Sequence, residues 1–135
     1  MNAPETLKRD SLYLAQTHEV VNVSNELVDY NAYTQDAALV DGVAREGGGW
    51  AHEALTAFGQ LTGSAETIEL GALANRNPPE FDTHDRFGNR VDLVRFHPSY
   101  HRLMQTAIEH GLHSSPWTDP RAGAHVARAA HTYLQ

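Results

Sequence analysis

Apolar residues recur at helical spacing over most of this chain and break that period once. Over residues 36–46, Ala37, Val40 and Ala44 recur three and four apart with Leu39 and Val43 between them, which makes one apolar helix face. Thr34 or Asp36 precedes it, placed to accept from the free amides of the first turn. Gly47, Gly48 and Gly49 read as a helix stop followed by a sharp corner, because neither a GxGxxG nor a P-loop spacing surrounds them. A second helix is predicted over residues 50–61, with Ala51, Ala54, Leu55, Phe58 and Leu61 on one side. Thr62, Gly63 and Ser64 end it. Ser64 then caps a third helix over 65–75, Glu66 favours its positive end, and Asn77, Pro78 and Pro79 close it. Gly71 inside that helix costs about 1 kcal/mol relative to alanine, so a close helix crossing is expected there.

Residues 80–96 change period. Val91, Leu93, Val94 and Phe96 flank charged residues, and Asp85, Gly88 and Asn89 mark a turn, so a small hairpin is predicted. Pro98 opens another helix, whose stripe of Tyr100, Leu103, Met104, Ala107 and Ile108 runs to Gly111. A loop with Pro116, Trp117 and Asp119 follows. The final helix is expected from near Pro120, carrying Val126, Ala129, Ala130, Tyr133 and Leu134, an apolar stripe with nothing after it to cover it. Residues 1–33 are polar and aperiodic, an arm with a short strand at Val20 and Val21. The fold class is therefore mainly α, with a small β-hairpin around residues 80–96.

Composition narrows the functional classes. A chain of 135 residues suits one domain, and 41% hydrophobic residues suffice for a core. Ten Lys and Arg against 17 Asp and Glu give a formal charge of -7, the wrong sign for a broad nucleic-acid or anionic-lipid surface. The absence of Cys removes disulfides, thiolate metal sites and cysteine nucleophiles and fits a reducing compartment. No stretch approaches the roughly 20 apolar residues of a membrane helix. The charges among the first 16 residues exclude a signal-peptide core, so a cytoplasmic location is expected.

Nine His are the one unusual count. His97 and His101 form an HxxxH pair, a spacing zinc uses, but Pro98 places His97 at the helix cap and the glutamate of an HExxH motif is missing. Both are read as structural His. His84, Asp85 and His113 are the residues that folding would need to bring near for a metal. His84, Asp85 and Arg86 resemble an acid/base group, yet in a hairpin turn they read as solvated. His110 sits where a cation caps a helix end. Trp50 and Trp117 are expected to fill the core. No catalytic, cofactor-binding or metal-binding residue is assigned from pattern.

Several strings in combination resemble the N-terminal domain of the AidB-type, alkylation-response acyl-CoA dehydrogenase flavoproteins. They are THEVVN over residues 17–22, AREGGGW over 44–50, LGALANRNPP over 70–79, FHPSYHRLM over 96–104 and GAHVARAA over 123–130. The resemblance covers residues 17–135 and leaves 1–16 as a polar N-terminal extension. It implies a longer, tetrameric protein with a β-barrel middle domain and a C-terminal helical bundle. FAD would lie between those two domains and any DNA-binding surface would be C-terminal, so none is expected on this chain alone. It further implies that the domain is cut short at its C-terminal end and that its roles are structural and subunit-contacting. Leu27, Asp29, Tyr30, Tyr33 and Phe87 are the candidate contacts. HPSYH at residues 97–101 matches a family string without a known metal. The alternatives are a free-standing helical interaction or oligomerisation module, and a His-based metalloprotein.

Overall fold

The computed structural model describes residues 21–135. The extension over residues 1–16 lies outside the described residues, and so does Val20; Val21 is in irregular chain. Helix α1 (Ala37–Arg45) starts where the Asp36 carboxylate accepts from the Leu39 amide at 2.9 Å. It ends in the glycine corner, where the Gly48 amide turns back to the Val43 carbonyl at 2.8 Å. A 3-10 turn (Gly49–Ala51) leads into α2 (His52–Thr62), and α3 (Ala65–Arg76) is capped by Ser64, whose Oγ accepts from the Thr67 amide. Strands β1 (Glu80–His84) and β2 (Arg90–Arg95) form an antiparallel ribbon. Helix α4 (Pro98–Glu109), a short α5 (Ser115–Thr118) and α6 (Ala124–Leu134) complete the order.

The core lies where α1, α2 and α6 meet. Val43, Leu55, Phe58, Ala127, Ala130 and Leu134 pack there with Tyr33 from the arm and Leu112 from the loop after α4. Leu55 and Phe58 are wholly buried, each contributing roughly 1.5–3 kcal/mol relative to exposure. The arm reaches this core by a backbone strap. The Tyr30 amide donates to the Gly63 carbonyl and the Ala32 amide to that of Gly59, while Asn31 bonds the Thr56 carbonyl. A Cβ at Gly63 would overlap the Tyr30 carbonyl, so only glycine permits this approach. Helices α3 and α4 pair as an outer layer with little interior of their own: α3 has no buried residue and α4 only Ser99.

Four expectations are corrected. No atom lies within 4 Å of a Cβ built on Gly71, so no close crossing compensates that glycine. The segment after Gly111 contains α5 where a loop was expected. Helix α6 begins at Ala124 and not near Pro120, because Asp119 folds over Arg121 and Gly123 turns the chain with φ +80° against the Gly47 backbone. The apolar stripe of α6 is also covered in part: Ala130 and Leu134 are buried, and Tyr133 stays on the outside.

Candidate functional site

The ribbon of β1 and β2 stands out because its apolar side chains have nothing over them. Phe81 pairs with Val94 and Asp82 with Leu93, yet Phe81 is 59% exposed and Val91, Leu93 and Val94 are all open to solvent. A two-stranded ribbon is marginal in water without a face to pack on. Arg95 joins Glu80 at 3.2 Å and Asp82 at 3.0 Å across the strands, but such surface pairs contribute little. Tyr100, Met104 and Ile108 on α4 are exposed as well. The ribbon and this stripe are two apolar faces that nothing among the described residues covers.

The turn joining the strands is organised around Asp85. Its carboxylate accepts from the Phe87 and Asn89 amides at 2.8 and 2.9 Å and from the Asn89 side chain. These bonds, led by the Asn89 side chain, hold the Asp85 carboxyl below the usual carboxylate range. The His84 ring meets the Thr83 hydroxyl and Arg86 lies over Phe87 at 4.7 Å. His84, Asp85 and Arg86 thus serve the turn separately.

His97 caps α4, its Nδ1 accepting from the Ser99 amide at 3.3 Å. The His101 ring stands edge-on to Phe96 and Tyr100, which stack on each other with centroids 4.3 Å apart. Among the described residues, no group of three His, Asp or Glu gathers in a geometry suited to a metal ion. Of the arm residues, Leu27 is exposed, Tyr30 is half-buried, and Asp29 caps α3 by accepting from the Ala65 amide at 2.9 Å. Tyr33 is only 1% exposed and belongs to the interior, beside His52. Phe87, at the ribbon tip, is 75% exposed.

Neither tryptophan fills the core, contrary to expectation. Trp50 is 41% exposed, with the Arg121 guanidinium 3.4 Å above its ring and its Nε1 donating to the Ala122 carbonyl. Trp117 is 70% exposed on α5. Below Trp50 opens a cleft of about 250 Å³ lined by His110, Asp119, Arg121, Arg128 and His131 above alanines. His110 and His131 flank the buried Phe58 ring at 4.7 and 5.1 Å. Sequence reasoning missed Arg121, Arg128 and His131, since only folding joins the corner before α6 to the end of α4. The i, i+3 spacing of Arg128 and His131 was the one available signal.

Neither the triple glycine nor the groove beside the ribbon has the character of a phosphate site for FAD. The triple glycine is no phosphate cradle: the Gly47 and Gly48 amides return to the Ala44 and Val43 carbonyls, and a Cβ at Gly48 would meet Val126 and Val43 at 3.1 Å. A groove of about 550 Å³ between the end of α3 and the ribbon is lined by Arg76 and Arg95, both already paired with carboxylates.

Residues 22–135 match the family model described as the adaptive response protein AidB N-terminal domain. The chain belongs to the AidB N-terminal domain family. It is 48% identical over 120 residues to AidB of Escherichia coli (strain K12), which carries the name of an acyl-CoA dehydrogenase. That match takes in 88% of this chain and 22% of the relative. Caenorhabditis elegans ACDH-11, crystallised in complex with C11-CoA, shares the fold with a TM-score of 0.71 at 22% identity, over 95% of this chain and 22% of its own. Bd2924 in its apo form does so with a TM-score of 0.69 at 20% identity, over 83% of this chain and 23% of its own. This AidB-type domain therefore has the mainly helical fold with a small hairpin expected from its sequence, and it spans about a fifth of the length of these relatives. Among the described residues, no helix is long and apolar enough to cross a membrane.

Proposed function

We propose that this AidB-type domain is the N-terminal module of an FAD-dependent, acyl-CoA dehydrogenase-like oxidoreductase of the alkylation-response type, with structural and contact-making roles. The observation that carries the reading is the uncovered apolar surface of the ribbon and of α4 on a chain that corresponds to 22% of its relative. Such a surface gains free energy when a further segment or subunit covers it, at about 25 cal/mol per Å² of apolar area. Phe81, Leu93, Met104 and Ile108 supply that area, Phe87 adds to it at the ribbon tip, and Leu27, Asp29 and Tyr30 are the contacts proposed on the arm. The flavin chemistry, the tetramer and any DNA contact belong in this reading to regions that the longer relatives have beyond this match. A cytoplasmic location accompanies it.

The test is flavin content together with surface protection. The 135-residue chain, purified from cells, is expected to carry no flavin absorbance. In a longer protein containing it, amides of β1, β2 and α4 are expected to gain protection from hydrogen exchange. Stoichiometric flavin on the short chain, or equal exchange of these elements in both forms, overturns the assignment.

A further inference from the structure

The cleft beneath Trp50 runs against the charge of the chain. The chain carries -7, but the cleft presents Arg121, Arg128, His110 and His131 against the one carboxylate of Asp119. That carboxylate is already engaged, holding the Arg121 guanidinium at 2.6 to 3.2 Å and the Arg121 amide at 3.0 Å. Arg128 makes no ion pair among the described residues. Its Nε donates to the Leu112 carbonyl at 2.7 Å, which fixes the guanidinium plane and leaves the two Nη groups without a protein acceptor among the described residues. A planar fork held in advance suits a bidentate oxygen acceptor.

The floor is the opposite in character: Ala51, Ala54 and Ala127 present methyl groups. The volume, about 250 Å³, is some eight times the roughly 30 Å³ that one liquid water occupies, which limits an occupant to a few heavy atoms. We propose that this cleft binds a small organic carboxylate with a short aliphatic tail, the carboxylate on Arg128 and the tail on the alanine floor. The titratable and charged groups facing it are His110 at the end of α4, Asp119 and Arg121 before α6, and Arg128 and His131 on α6. The α2 side contributes alanine alone. His131 donates Nδ1–H to the Ala127 carbonyl, at an Nδ1 to oxygen distance of 2.9 Å, and so keeps Nε2 as the site of its second proton. A proton taken up by His131 adds attraction for the anion, so binding tightens as pH falls.

The experiment is an NMR titration of the isotope-labelled chain with butyrate, acetate and inorganic phosphate, following the His131 and His110 ring signals. Butyrate is expected to shift them saturably and to bind more tightly than acetate or phosphate. Arg128→Gln, which removes the fork, is expected to weaken butyrate by about tenfold or more. Ala54→Leu fills the floor from the exposed side of α2 and is expected to abolish binding while every charge stays in place. Phosphate or acetate binding as tightly as butyrate, or butyrate binding unchanged in either folded variant, overturns the proposal.

Discussion

At the scale of single residues, two glycines that look alike in sequence behave oppositely. Gly71 lies in α3 with open space where a side chain would go, so Gly71→Ala is expected to stabilise the domain by about 0.4–1 kcal/mol. Gly63→Ala drives a methyl into the arm carbonyl and is expected to lower the melting temperature; thermal unfolding of both variants checks the pair. His131 supplies a pH dependence. Burial, with the repulsion of His110 added, depresses its pKa below the ordinary 6.5, although the Ala127 carbonyl acts the other way. Unfolded chains thus bind the proton more readily, and the stability tied to the neutral ring is present above about pH 6.5 and is lost as pH falls through the folded value. Wild-type protein is expected to lose melting temperature on acidification more steeply than His131→Gln between about pH 7 and pH 5. The propensity cost of Gly71 is legible in the sequence, but the open space beside it, the contact at Gly63 and the burial of His131 are not, because periodicity states that a residue is on a helix and not what stands opposite it.

At the scale of elements, local chemistry was legible and long-range chemistry was not. Asp36, Ser64 and His97 cap the helices that their positions announce, since capping depends on residues two or three apart. The start of α6 was misplaced because its turn is made by Asp119 holding Arg121 and by Gly123 crossing Gly47, a contact between distant parts of the chain. The two tryptophans were misassigned for the same reason: guanidinium stacking from Arg121 offers Trp50 an alternative to the interior. Asp119, held down to about 2 chiefly by its hydrogen bonds to Arg121, keeps that corner ionised throughout the range in which His131 titrates. The ribbon invites a separate prediction. With no buried side chain in either strand, its amides are expected to exchange far ahead of those of α2 in the isolated chain, as local opening does not require the core to unfold. Exchange of β1 and β2 at the same rate as α2 would show the ribbon to be held by contacts other than those described.

At the scale of the whole molecule, hydrophobic patterning identified the helices and the hairpin, and the quoted strings pointed to the family, while the distribution of burial among the helices had to come from the structure. The stripe of Tyr100, Leu103, Met104, Ala107 and Ile108 on α4 is half open. Ala124 and Ala127 on α6, outside the stripe expected from the sequence, are buried beside Ala130. The core joins α1 and α2, from the first half of the chain, to a helix that ends at Leu134. Chain growth on a ribosome is directional, at about 5–20 residues per second, so Leu55 and Phe58 emerge well before the helix that buries them. For those seconds the nascent domain carries a half-built interior, with α3, the ribbon, α4 and α5 already made before α6 arrives to cover Leu55 and Phe58.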